Sequence, residues 1–315
     1  MEQRVLGKSG LEVSSIGLGT MTWGRDTDIH EARDQFNIFR EAGGTLIDTA
    51  DIYADGTSEE IVGEFVRDHP EMLVSSKAGT VRAPRKRNTS RAHLLSSLDS
   101  SLRRLNRSHI DIWHLHGWDA VTPIDETIAA AQHALDSGKV RYVGISNYSG
   151  WQTATAALSL PIISAQVEYS LVQRGIEREV IPAAQAHGLG IMAWSPLGRG
   201  VLTGKYRHNT PADSRAASLH FASFVSPYLN ERPRTIVEAL CTAADGLGMT
   251  SASVALSWLL NNEIVASALV GARTASQLRG IIADVDVILP LEIHNALNEV
   301  SMPDRGYPEF GWNQS

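Results

Sequence analysis

The chain counts 315 residues, 43% of them apolar and 20% charged, with a formal net charge of −7. That acidity excludes a nucleic-acid surface, which needs a basic face to displace phosphate counterions. No apolar run approaches the roughly 18 uncharged residues of a membrane span, and the lone Cys241 excludes an intrachain disulfide or a cysteine-rich metal site.

In chain order, residues 5–13 read as a hairpin turning at residues 7–10. The opening residues hold no basic stretch followed by an apolar run, so no secretory signal is read and a cytoplasmic protein is expected. Ile16-Gly-Leu-Gly19 reads as a first buried strand, and residues 31–42 as a helix stopped by Gly43-Gly44. A strand over 45–48 leads to a helix near Thr57, where Thr57 and Glu60 have capping-box spacing and Ile61, Val62 and Phe65 share an apolar face. The strand over 72–77 runs into a basic loop with Arg82, Arg85, Lys86, Arg87 and Arg91, readable either as a solvated loop or as a ligand contact. Leu94, Leu95, Leu98, Leu102 and Leu105 recur at helical spacing over 90–105, and a strand follows over 110–116. Pro123 and Gly138 bracket a helix over 123–137. Strands near 141–145, 162–167, 190–193 and 266–270 then alternate with helical stretches near 176–186 and 235–244. A long insertion, at about 197–233, follows the seventh strand; loops of that length are usually functional or mobile.

Eight strands in βα order predict a parallel sheet closed on itself. The expected α/β architecture is a (β/α)8 TIM barrel, a single domain over residues 1–315 with an N-terminal β-hairpin. In such folds chemistry collects at the carboxyl ends of strands, where loops vary while strands hold them rigid. Asp48, Tyr53, Lys77 and His116 each close or follow one of these strands, and together they suggest a proton donor. Asp48 and Tyr53 are five apart, so Asp48 should end the strand, Tyr53 lie on the loop, and the four converge only in three dimensions. Singly, each has a plain structural reading: a turn residue, packing with a polar handle, or a solvated strand end.

The segment Asp48-Thr-Ala-Asp-Ile-Tyr53, followed by Ser58-Glu-Glu-Ile-Val-Gly-Glu64, resembles the signature of the aldo-keto reductases. So do Gly144-Ile-Ser-Asn147, Gln166-Val-Glu-Tyr169, Trp194-Ser-Pro-Leu-Gly198 and Gly271-Ala-Arg-Thr274, the match running in order from about residue 3 to 290. The resemblance implies NADPH-dependent reduction of a carbonyl to an alcohol, with Asp48, Tyr53, Lys77 and His116 as the catalytic tetrad. The chemistry agrees with it. Hydride delivery to a carbonyl carbon leaves negative charge on oxygen, so an acid must be aimed there. Tyr53 is that donor, Lys77 is expected to lower its pKa, and Asp48 to hold Lys77 charged. His116 orients the carbonyl or shares the proton.

By the same resemblance, Ser146, Asn147 and Gln166 bind a nicotinamide carboxamide and Trp194 stacks on its ring. Ser195, Leu197 and Gly198 line the pyrophosphate path, and Gly271, Arg273 and Gln277 hold the 2′-phosphate end of NADPH (NADP+), where a guanidinium is the natural partner. Against capping at strand ends, these are read as cofactor ligands. No Gly-x-Gly-x-x-Gly follows a strand, and the loop 198–205 misses the P-loop, with Arg199 in place of the first glycine and Tyr206 after the lysine. Two departures from the family stand out. Gly280-Ile281 replaces a Glu-Asn pair, which puts adenine contacts and the preference over NADH in question, and Gly117 stands where relatives carry an aromatic residue after the histidine. Trp23 and Trp118 are expected to line the substrate at the mouth with Tyr53.

A His-x-His at a barrel strand end, His114 and His116, also suggests a metal-dependent hydrolase, but His187 precedes its strand and His208 and His220 fall in the insertion. His114 is therefore read as a core residue, with no metal site. The family also resembles potassium channel β subunits, so a nucleotide-binding sensor or partner-binding subunit is the alternative; no extra segment precedes the first hairpin, which argues for a free enzyme. The expected partner is a small-molecule carbonyl substrate, with no nucleic acid and no membrane. Oligomeric state, the substrate itself and the role of the aromatic end over 307–312 are not legible.

Overall fold

The computed structural model describes residues 1–82, 86–207, 209, 217, 222–284, 287–304 and 306–307. Arg85, His208, His220, most of the middle of the insertion and residues 308–312 lie outside this set.

A two-stranded antiparallel hairpin, β1 (Gln3–Val5) and β2 (Glu12–Ser14), precedes a closed parallel barrel. Its strands are β3 (Ile16–Gly19), β4 (Leu46–Asp48), β5 (Leu73–Ala78), β6 (Ile110–Leu115), β7 (Val140–Ser146), β8 (Ile162–Glu168), β9 (Gly190–Trp194) and β10 (Val265–Val270), with β10 returning to pair with β3. The helices around it are α1 (Ile29–Glu41), α2 (Thr57–Val66), α3 (Arg91–Leu105), α4 (Ile124–Asp136), α5 (Gly150–Ser159), α6 (Val180–His187), α7 (Ala222–Val225), α8 (Glu231–Leu247), α9 (Ser251–Leu260), α10 (Ala275–Ile282) and α11 (Leu291–Ser301). This is the (β/α)8 barrel with its hairpin.

Alternation along each strand divides the core. Ile47, Val74, Trp113 and Val143 face outward into the layer shared with the helices, while Leu46, Ile112, Ile163, Met192 and Leu269 pack inside the barrel with Leu6 and Val13 of the hairpin. The hairpin thus plugs the amino-terminal end. Gly7 makes this plug fit: it has φ +58, and a Cβ there would collide with the backbone of Ile163, Gly188 and Gly190. The opposite end is left open for chemistry.

Several local expectations are corrected. Helix α1 starts at Ile29, because the Asp28 carboxylate accepts from the N–H groups of His30 and Glu31 at 2.9 and 3.0 Å. Helix α2 has no Thr57 capping box: Thr57 is already helical, and Gly56, at φ 98, is the N-cap. Trp23 is not at the mouth. Its loop folds back, its indole donates to Gln35 Oε1 at 3.1 Å and stands edge-on to Phe65, and it is fully buried. Among the described residues no single helix is long and apolar enough to cross a membrane.

Candidate active site

The carboxyl ends of the strands converge on a cavity of about 580 Å³. Just beneath it the barrel interior is polar. Asp48 ends β4, pairs in register with Ser75, and is buried. Lys77, two residues on from Ser75, shares its inward face; Nζ lies 2.5 Å from Asp48 Oδ2 and donates to the Thr49 carbonyl at 2.7 Å. Asp48 Oδ1 accepts from Ser75 Oγ and Gln166 Nε2, both at 2.8 Å. Three donors, Lys77 and Ser75 from β5 and Gln166 from β8, thus hold one carboxylate.

Tyr53 opens a 3-10 turn, Tyr53–Gly56, after β4. Its ring centroid lies 5.0 Å from Lys77 Nζ and 6.2 Å from the ring of His116, which follows β6. Asp48, Tyr53 and His116 all form cavity wall, and Lys77 sits behind Tyr53. Burial is the largest influence on the Tyr53 phenol and pushes its pKa up; Lys77 pulls it down without winning. The lowered pKa expected from Lys77 is therefore corrected to a raised one. Lys77 itself is driven down by burial and up by Asp48 and Tyr53, and ends raised, so it stays an ammonium. His116 is pushed well below its usual value by burial, then by Lys77 and Arg87, so its ring is neutral.

His114 is a satisfied interior residue. Since the single proton of the Ser75 hydroxyl goes to Asp48, Ser75 must accept from His114 Nδ1–H at 3.2 Å, which leaves Nε2 to accept from Ser164 Oγ at 3.0 Å. Burial takes its pKa down to about 3. Among the described residues no three His, Cys, Asp or Glu side chains converge as a metal site.

The sequence-predicted cofactor ligands fall in the same cavity with one exception. Ser146, Asn147, Gln166, Trp194, Ser195 and Leu197 line it on the β7 to β9 side, and Gly271, Arg273 and Gln277 line its far arm. Gly198 does not; it is buried at φ +56 against Val172. Asn147 ties strand ends together, accepting from Trp194 Nε1 at 3.0 Å and donating to Ser146 Oγ at 3.0 Å. Of the six described non-glycine residues with positive φ, five (Ala54, Asp55, Asn147, Ser195 and Arg199) stand on loops at this end, where the fold holds costly backbone in place. Trp118 is not cavity lining: half-buried, it packs edge-on to Tyr148 and Trp151.

Sequence reasoning missed Thr20, Met21, Thr203, Lys205, Phe224 and the start of α9, all of which line the cavity. It also missed Arg199. This residue forms a double ion pair with Glu168 (2.8 and 2.6 Å), donates to the Phe224 carbonyl, and lies 3.9 Å from the Phe224 ring centroid. It thereby fastens α7 over Trp194, whose ring lies nearly parallel to that of Phe224 at 6.4 Å. The signal available was the mismatch at Arg199 in the glycine-rich loop.

The far arm carries two helix starts and two cations. The amino ends of α9 and α10, capped by Thr250 and Thr274 on the N–H groups of Ser253 and Gln277, open on it beside Arg273 and Lys205. Trp194, Leu197, Phe224 and Ile281 give the cavity apolar wall, and Arg199, Lys205 and Arg273 give it cations.

The Aldo/keto reductase family profile matches residues 15–301. The chain belongs to that family. This aldo/keto reductase is 34% identical to a probable voltage-gated potassium channel subunit beta of Arabidopsis thaliana, over 98% of both chains. It is 35% identical to an uncharacterized oxidoreductase of Bacillus subtilis over 95% of this chain and 96% of that one. It is also 35% identical to an L-glyceraldehyde 3-phosphate reductase of Escherichia coli O157:H7, over 88% and 86%. Family and relatives make it an oxidoreductase of the aldo/keto reductase kind.

Proposed function

We propose that the chain reduces aldehydes or ketones to alcohols with NADPH, Tyr53 giving the proton. The observation that carries this reading is the phenol of Tyr53 on the cavity wall, backed by the buried Lys77–Asp48 pair. Bound NADPH supplies the hydride. As charge grows on the carbonyl oxygen, the Tyr53 hydroxyl transfers its proton there, and Lys77 stabilises the phenolate left behind. Asp48 keeps Lys77 charged and aimed, and neutral His116 orients the carbonyl through a ring N–H. Ser146, Asn147 and Gln166 would hold the carboxamide, Trp194 the ring, and Ser195 and Leu197 the pyrophosphate path. Gly271, Arg273 and Gln277 would hold the 2′-phosphate, favouring NADPH over NADH.

NADPH and NADH oxidation with a panel of aromatic aldehydes, ketones and dicarbonyls tests this, alongside nucleotide binding read by tryptophan fluorescence. Turnover with NADPH supports it. Nucleotide binding without turnover would favour a second reading, a nucleotide-dependent subunit serving a protein partner, which the full-length likeness to a probable channel β subunit supports. Failure to bind either nucleotide contradicts both.

A further inference from the structure

The basic loop between β5 and α3 does not behave as one solvated patch. Arg82 pairs with Asp55 at the surface, Lys86 is exposed, and Arg91 starts α3 and donates to the Ala129 carbonyl. Arg87 turns inward. An antiparallel bridge to Thr80 fixes its backbone, and hydrogen bonds from Asn88 N to the Gly79 carbonyl and from Val81 N to the Lys86 carbonyl close the loop around it.

Its guanidinium lies against Gly117, the residue after His116; a Cβ at 117 would fall on Nε, Cζ and Nη2. The glycine that replaces the family's aromatic wall therefore makes room for a cation. Arg87 donates from Nη1 alone, to Thr80 Oγ1 at 3.0 Å and the Lys86 carbonyl at 3.1 Å. Nε and Nη2, the edge that grips a carboxylate or phosphate side-on, have no partner among the described residues, and no described carboxylate pairs with Arg87. The charge also reaches the reaction centre, acting with Lys77 on His116.

We infer that Arg87, seated in the gap left by Gly117, is a specificity residue that selects carbonyl substrates bearing an anionic group, a carboxylate or a phosphate. This rests on the carbonyl reductase reading and deepens it. Arg87 stands beside Gly117, next to His116 and off the cavity wall, so the anion would extend from the cavity past His116 toward it while His116 and Tyr53 address the carbonyl. Charge-assisted hydrogen bonds of this kind strengthen substrate binding and leave the hydride and proton steps to the tetrad.

The experiment compares kcat/KM for matched pairs: 4-carboxybenzaldehyde with its methyl ester, and glyceraldehyde 3-phosphate with glyceraldehyde. Wild type should prefer the charged member of at least one pair, and which pair shows it identifies the anion. In Arg87→Gln the charged-to-neutral ratio should fall about tenfold or more, through KM of the charged member, and Arg87→Lys should restore part of it. Gly117→Ala, which crowds the guanidinium at its flexible end, should lower the same ratio. A wild type that reduces neutral carbonyls with no preference for anions overturns the inference and leaves the carbonyl reductase reading standing. A ratio unmoved in Arg87→Gln, with both members slowed alike, shows a merely structural role and also overturns it. A wild type that reduces no member of either pair removes both.

Discussion

Lys77 Nζ rests 2.5 Å from Asp48 Oδ2 with both side chains closed off from solvent. Removing either charge strands the other. Lys77→Met leaves a buried carboxylate held only by Ser75 and Gln166, and should cost about 3 kcal/mol of stability. Asp48→Asn should cost less, since an amide tolerates burial and Lys77 keeps the Thr49 carbonyl. Both should lower kcat by about 100-fold or more. Denaturant unfolding and NADPH turnover on the same preparations check the two halves separately.

The raised pKa of Tyr53 has a direct pH consequence. A general acid works while protonated, and burial lifts this phenol above its ordinary value near 10. Reduction should therefore show no loss assignable to Tyr53 between about pH 6 and 9, with the falling limb at higher pH. A kcat/KM profile for carbonyl reduction tests this; a falling limb centred near neutrality would mean that Lys77 overrides burial.

Behind the Tyr53 turn stands a second acid, Asp51. Burial first, then Glu59, push its carboxyl up to about 7, and its Oδ1 has no hydrogen-bond partner. Unfolded, the same group ionises near 4. Below about pH 4 both states are protonated and Asp51 carries no penalty; between about 4 and 7 the unfolded state ionises first and the penalty grows; above 7 it is constant. Asp51→Asn should thus raise stability over wild type by about 4 kcal/mol at pH 8, about three pKa units, and by almost nothing at pH 4. Thermal unfolding across that range decides it, and an equal gain at both ends would contradict the assignment.

Gly144 pairs with both His114 and Ser164 in the barrel register, and a Cβ there would strike both side chains. Gly144→Ala should destabilise the barrel by about 1–3 kcal/mol through this overpacking. Because His114 reaches Asp48 through Ser75, turnover should fall as well. Unfolding and activity of this single variant check both effects.

The barrel and the convergence of Asp48, Tyr53, Lys77 and His116 could be read because each residue ends or follows a short apolar strand, a pattern written locally. What the sequence hid depends on folding back. Trp23 sits in a loop next to a strand end, yet that loop tucks it against α1 and α2. Helix α9 escaped notice because it is buried from Ala252 to Leu260, so no polar face marks a helical period. Thr57 had the right spacing for a cap, but Gly56 with its left-handed backbone starts α2 instead. Arg87 and Arg199 looked like members of a charge run and a failed phosphate loop. Their partners, Gly117 and Glu168, are 30 and 31 residues away in sequence, and only the closed barrel brings them together.

The most direct test of the central claim is Tyr53→Phe, assayed for carbonyl reduction and for NADPH binding on the same protein. The phenylalanine keeps the ring beside His116 and Lys77 and removes the hydroxyl that carries the proton. Turnover reduced about 100-fold or more with NADPH affinity retained is the predicted result. A variant that binds NADPH and still reduces carbonyls at the wild-type rate would contradict Tyr53 as the proton donor.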